Sequence, residues 1–238
     1  MSSVPPQGPG ATPPPPPPPY PPNVPPPGAG GLPWETQAIG PESFFETAKL
    51  FVTAPEQAWR LTRETGDYVR PMLFGIIVGW VGLVFNAVWS SMFGASWARF
   101  VPEQYRDAVL ARAGGGILSQ VILGPLFIAI ALFVGAAIFH VCFMIVGALA
   151  SSKSQFEGTF RLVSYSSIAH IAYVVPVVGG LAALVWRVYL MVIGAQQLHK
   201  TTQSKALLGI VLPIAVCCVC AILGMAIAGA AIFSAFRR

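Results

Sequence analysis

The chain has 238 residues, 55% of them hydrophobic and only 10% charged, with a formal net charge of +5 and a mean hydropathy of +0.67. Soluble globular domains carry about 25% charged residues, so this composition excludes an ordinary soluble fold. The positive balance does not form a nucleic-acid-binding face, because the cations flank long apolar runs instead of alternating with polar and aromatic groups.

Sixteen of the 23 prolines fall within residues 1–33, ahead of the first charged side chain, Glu35. Seven run consecutively, Pro13 to Pro19. Proline fixes φ and lacks an N–H, so this stretch is expected to be a disordered, polyproline-rich tail that builds no core. It lacks the cation-then-apolar order of a secretory signal and is expected to stay on the protein. As a function, it could occupy a groove that recognises proline helices; otherwise it serves as a spacer.

Residues 34–70 form a pre-membrane segment. Phe44, Phe45, Ala48, Phe51 and Val52 share one helical face, with Glu42, Glu46 and Lys49 opposite. Pro55 breaks this helix before a turn carrying Trp59 and Leu61. The pattern predicts a helix lying in the headgroup plane, anchored by Phe44, Phe45, Phe51 and Trp59; docking onto the body of the protein is the alternative.

The rest, residues 71–238, reads as an all-α membrane bundle of five transmembrane helices over residues 71–93, 117–150, 160–176, 179–196 and 206–233. The first is long enough at 1.5 Å per residue to cross a hydrocarbon core of about 30 Å. The loop between the first two carries Arg99, Glu103, Arg106, Asp107 and Arg112, and Pro102 could open a short helix there. The second run overhangs a single crossing and could kink near Gly124-Pro125. Pro176-Val-Val-Gly-Gly180 supplies the turn of a hairpin between spans three and four. Counting Lys and Arg near the span ends gives eight inside against five outside with the N-terminus in the cytosol.

The string Phe156-Glu-Gly-Thr-Phe-Arg-Leu-Val-Ser-Tyr165, the hairpin at Pro176–Gly180, and Gly194-Ala-Gln-Gln-Leu-His-Lys200 before Lys205-Ala206 together resemble the bacterial-type branch of the Yip domain family. Pro41-Glu-Ser-Phe-Phe45 and Pro71-x-x-Phe-Gly75 extend the likeness to about residues 40–233. The resemblance implies a five-pass integral membrane protein with a cytosolic N-terminus, placed in a bacterial cytoplasmic membrane. Eukaryotic members engage small Rab-type GTPases and act in vesicle traffic or membrane shaping. Gly124-Pro125-Leu126 lacks the acidic residue that precedes this triplet in that branch, so a GTPase partner carries over only by family analogy.

Few polar groups fall within the expected spans. Arg187 would cost about 2.5–3.5 kcal/mol at a helix centre on insertion scales, so it needs a partner or a role. Counting back from the hairpin tip puts it level with His170 and Ser167, with Tyr165 and Ser166 about a turn away. These five residues are the candidate intramembrane polar cluster, able to hold an anion, a lipid headgroup or a proton; snorkelling along the helix is the structural alternative. His140 is expected to hydrogen-bond across helices. Cys217, Cys218 and Cys220 point in different directions on one helix, share it with no His or carboxylate, and read as small hydrophobes. Gly75-Ile-Ile-Val-Gly79 has the spacing of a close helix contact. No carboxylate pair falls within the membrane, no H-E-x-x-H, phosphate loop or G-x-S-x-G is present, and no acid follows Glu157, so no catalysis and no cofactor are expected. The expected function is that of a non-enzymatic adaptor or membrane-organising protein. Its partners would be the lipid bilayer, a protein bound through the proline-rich tail and a second copy in a homo-oligomer. A small transporter or permease component working through Arg187 and His170 is the alternative.

Overall fold

The computed structural model describes residues 31–107 and 117–236. The proline-rich tail up to residue 30, the loop cation Arg112 and the terminal Arg237-Arg238 lie outside the described residues. The chain divides into Met1–Gly30 and Gly31–Arg238, and the fold described here is that of the second unit.

Among the described residues every regular element is helical. Three short helices, α1 (Pro33–Thr36), α2 (Pro41–Thr53) and α3 (Pro55–Leu61), each begin with proline at the first helical position, where its missing N–H is not needed. Ala54 separates α2 from α3, with φ −146° outside the helical region, as the residue before a proline favours. Then come α4 (Val69–Ala98), α5 (Ile117–Ile145), α6 (Gln155–Ser166) running directly into a 3-10 segment (Ser167–Val174), α7 (Gly179–His199) and α8 (Gln203–Phe236). Residues 103–107 are helical, opened by the Pro102 carbonyl accepting the Tyr105 N–H at 2.9 Å.

Among the described residues four stretches are long and apolar enough to cross a membrane: Val69–Phe93, Gln120–Ile145, Gly179–His199 and Gln203–Met225. The expected third span, 160–176, is not among them. It is α6 followed by the 3-10 segment, and every residue from Gly158 to Ala169 is buried. Neighbouring helices surround it, so its Thr, Arg and Ser side chains are not selected against by lipid.

The second span is shorter than its apolar run. Helix α5 stops at Ile145 because Gly147 adopts φ +65°, and the Gly147 and Ala148 N–H groups fold back onto the Met144 and Phe143 carbonyls. This is a Schellman closure, and Lys205 Nζ adds a hydrogen bond to the Gly147 carbonyl at 3.2 Å. Pro125 lies inside α5 without ending it.

Contacts run antiparallel through the bundle. Trp80 Nε1 donates to the Val121 carbonyl (2.8 Å), which sets α4 against α5. His140 meets Thr159, which sets α5 against α6. Ser152 meets His199 at the start of α6 and the end of α7. A Cβ on Gly82 would sit 2.9 Å from the Cβ of His170, so only glycine lets α4 approach the 3-10 segment. Gly75 and Gly79 face the Ser164 backbone and Ile128, so this pair packs helices of the same chain. The hairpin tip is a tight turn in which Val178 N–H reaches the Pro176 carbonyl (2.7 Å) and Val177 takes φ +67°.

The pre-membrane helices pack onto the bundle. Phe51 and Trp59 are 0% and 1% exposed, and Phe51 stacks on Tyr165 with ring centroids 5.5 Å apart. Trp34, Phe44 and Phe74 complete the aromatic cluster. Of the four expected headgroup anchors, Phe51 and Trp59 are therefore core residues of the protein itself. Phe44 is half-buried against Trp34, and Phe45 alone is well exposed, at 68%. The same apolar periodicity serves either partner, and here the bundle supplies it.

Candidate functional site: polar clusters inside the bundle

Three polar clusters sit among these helices. The first joins the pre-membrane segment to α6. Glu35, on α1, is 4% exposed. Its carboxylate accepts hydrogen bonds from the Arg161 guanidinium, from Tyr165 Oη at 2.9 Å and from the Arg63 backbone N–H at 3.0 Å. Arg161 also pairs with Glu157, one turn earlier, at 3.0 Å and donates to the Asp67 carbonyl at 2.9 Å. Burial pushes the Glu35 carboxyl above its ordinary pKa, while the Arg63 N–H, Arg161 and Tyr165 pull it back. Beside this cluster, Trp34 N–H donates to Thr47 Oγ1 (2.9 Å), Trp34 Nε1 to the Arg70 carbonyl (2.7 Å), and Arg70 back to the Trp34 carbonyl (3.0 Å).

The second is a chain of histidine and hydroxyl groups at the same end of the bundle. Ser152 Oγ contacts His199 Nδ1 at 2.8 Å, His199 Nε2 contacts Thr159 Oγ1 at 3.1 Å, and Thr159 Oγ1 contacts His140 Nδ1 at 3.0 Å. His199 is fully buried. This ties the loop after α5 and the ends of α5, α6 and α7 together, and His140 takes the cross-helix partner its sequence position suggests.

The third lies mid-way along the spans. Arg187 of α7 donates from a terminal guanidinium nitrogen to His170 Nε2 at 3.3 Å. Both line a cavity of about 420 Å³ walled by α4, α5, the 3-10 segment, α7 and α8. A second cavity, of about 230 Å³, is also lined by His170 and reaches Asn86 and Tyr173. Arg187 Nε and His170 Nδ1 are buried without hydrogen-bond partners.

The structure thus brings together Arg187, His170 and Ser167 of the expected five. Tyr165 belongs to the Glu35–Arg161 cluster, because α6 turns its ring toward Phe51 and its hydroxyl toward α1. Ser166 and Ser167 donate their hydroxyls to the Val163 carbonyl at 3.0 and 3.1 Å, and Ser167 also lines the larger cavity. Glu35, Arg161 and His199 did not stand out in the sequence. The reasoning applied to Arg187 also fits Arg161, a cation inside an expected span and one helical turn after Glu157. Among the described residues no three His, Cys, Asp or Glu side chains group so as to hold a metal ion.

These features define an all-helical, multi-pass integral membrane protein with its pre-membrane segment folded onto the bundle. The Yip1 domain family model matches residues 49–225, about three quarters of the chain, and the protein belongs to that family. No curated protein and no solved structure matches it.

Proposed function

We propose that the protein is a non-enzymatic membrane adaptor, or membrane-organising protein, that holds a proline-rich recruiting arm at the cytosolic end of its bundle. The observation carrying this reading is the anchoring of the arm's attachment point. Leu32 and Trp34 are buried, and Glu35 is bound to Arg161 of the central helix. A partner recruited by the tail is therefore carried by a chain whose residues from Leu32 to Glu35 are fixed in the membrane body.

In this reading α6 and the 3-10 segment make the fifth crossing. At 1.5 and 2.0 Å per residue their 12 and 8 residues span about 34 Å. The α4 start, α5 end, α6 start, α7 end and α8 start then face the cytosol of a bacterial-type cell. Phe45 and Val52, exposed on α2, touch the headgroup layer. By family analogy the partner could be a small GTPase, and a second copy could share the bilayer.

The test is affinity purification from native membranes of the full chain against a chain lacking residues 2–30, with quantitative mass spectrometry. A partner present only with the arm supports the adaptor. Identical partner sets for the two chains would refute recruitment by the arm. A second reading, passage of an anion, lipid or proton, draws on the cavity at Arg187. Accessibility of cysteines placed at positions 166–170 to water-soluble reagents tests it.

A further inference from the structure

We propose that the cavity at Arg187 is a binding site for a single-chain anionic amphiphile, an acyl chain ending in a carboxylate or a phosphate monoester. The hydrogen-bond inventory gives the sign of the ligand. A guanidinium only donates, so His170 Nε2 must accept from Arg187, which places the imidazole proton on Nδ1. The two unpartnered buried atoms, Arg187 Nε and His170 Nδ1, are then both donors. No acidic residue lines the cavity, and none follows Glu157 in the chain. The Ser167 hydroxyl is committed to the Val163 carbonyl. The cavity is therefore walled by the two residues that carry these orphan donors, one of them an uncompensated cation, and an occupant that satisfies them must be an acceptor and an anion. Leaving such groups unmet inside a bilayer is costly.

The remaining walls give the rest of the ligand. A volume of about 420 Å³ falls in the 300–1,000 Å³ range of organic-ligand sites and far exceeds the needs of a simple ion. Apart from the polar edge, the lining is Leu132, Phe139, Leu184, Met191, Ile210, Ile214 and similar side chains. Leu184 and Ile214 are 53% and 43% exposed, so the cavity wall reaches the outer, lipid-facing surface of the bundle. Arg187 lies eight residues into α7, about 12 Å from its start, too deep for a bulky headgroup to follow. A slender chain with a small anionic end enters from the hydrocarbon and meets Arg187 at its tip. The assignment concerns occupancy alone and stands whether or not the occupant is moved across the membrane.

The test uses full-length protein in phosphatidylcholine nanodiscs and radiolabelled dodecanoate. Saturable binding is expected, competed by dodecyl phosphate but not by dodecyltrimethylammonium or inorganic phosphate. Arg187→Gln should weaken it at least tenfold, and Arg187→Lys should retain part of it. If Arg187→Gln fails to fold, Gly135→Leu decides the question. A Cβ there has only ordinary contact with Val163, at 3.8 Å, and a side chain added to this wall residue narrows the cavity while Arg187 stays. Equal competition by the cationic chain, or binding unchanged in Arg187→Gln and Gly135→Leu, would overturn the site. Competition by inorganic phosphate as effective as that by dodecyl phosphate would overturn its acyl component.

Discussion

Replacing Glu35 with alanine tests the junction between the pre-membrane segment and the bundle. The substitution removes an acceptor that serves three donors at once: Arg161, the Tyr165 hydroxyl and the Arg63 N–H. Arg161 is 1% exposed and keeps Glu157 and the Asp67 carbonyl, so it is not stranded outright, whereas Tyr165 Oη loses its one acceptor. Breaking a buried ion pair by deleting one partner costs about 3–5 kcal/mol. Because Glu35 joins α1 to α6, this cost falls on docking of residues 31–61 before it falls on the bundle. At 1.4 kcal/mol per power of ten, undocking should become more frequent by about two to three and a half powers of ten. The assay is maleimide labelling of a single cysteine at Ala58, which is 0% exposed in α3, with the four native cysteines replaced. Labelling should accelerate by at least a hundredfold in Glu35→Ala. Adding Arg161→Met should recover much of the protection, since exchanging both charges for apolar groups is often close to neutral. Labelling within a few-fold of the parent rate, or a double variant worse than either single one, would refute the clamp.

The other predictions concern single contacts. A Cβ on Gly194 would lie 2.6 Å from the Trp59 ring and 2.5 Å from Leu162, so Gly194→Val should cost about 1–3 kcal/mol, seen as a lower unfolding midpoint and altered Trp fluorescence. Val177 holds φ +67° at an exposed hairpin tip, and Val177→Gly should raise thermal stability by up to about 1 kcal/mol; an unchanged or lower midpoint would mean the turn is unstrained. His199→Phe removes one hydrogen-bond partner each from Ser152 and Thr159, which keep the Gln155 N–H and His140, and should cost about 0.5–1.5 kcal/mol per lost bond in a chemical-denaturation series. Burial makes Glu35 hold its proton more tightly folded than unfolded, so folding takes up a proton. That contribution is full below the ordinary carboxylate pKa of about 4.3 and is lost as pH rises through the folded value; Glu35→Gln should flatten the profile.

The sequence carried the apolar architecture in legible form because lipid imposes it residue by residue. Long, strongly apolar stretches announced α4, α5, α7 and α8, and Pro176 with Gly179-Gly180 announced the hairpin. The depth of Arg187 relative to His170 followed from counting back along the hairpin. What could not be read was partner choice across long separations. Glu35 and Arg161 are 126 residues apart, and nothing local to either names the other. Tyr165 illustrates the same limit. Its depth was readable, but its azimuth was not, and the ring faces Phe51 of the pre-membrane segment instead of Arg187. The amphipathic face of α2 was readable as a face, yet periodicity says only that the face is covered, not whether lipid or protein covers it.

The α6 and 3-10 segment shows why that ambiguity has physical content. Hydropathy measures what a helix surface meets, and a segment enclosed by its neighbours meets mostly protein. Twelve consecutive residues, Gly158 to Ala169, are buried, and they include Thr159, Arg161, Ser164, Ser166 and Ser167. Each except Ser164 has a hydrogen-bond partner, in the backbone one turn earlier, in Glu35 and Glu157, or in His140 and His199. Such a segment can carry polar side chains that a lipid-facing span could not, because burial and internal hydrogen bonds replace lipid contact. This segment therefore marks the centre of the bundle. It is the element on which the Glu35 clamp, the His199 chain and the His170 wall of the cavity all converge, while the four strongly apolar helices around it are the ones that expose their surfaces outward.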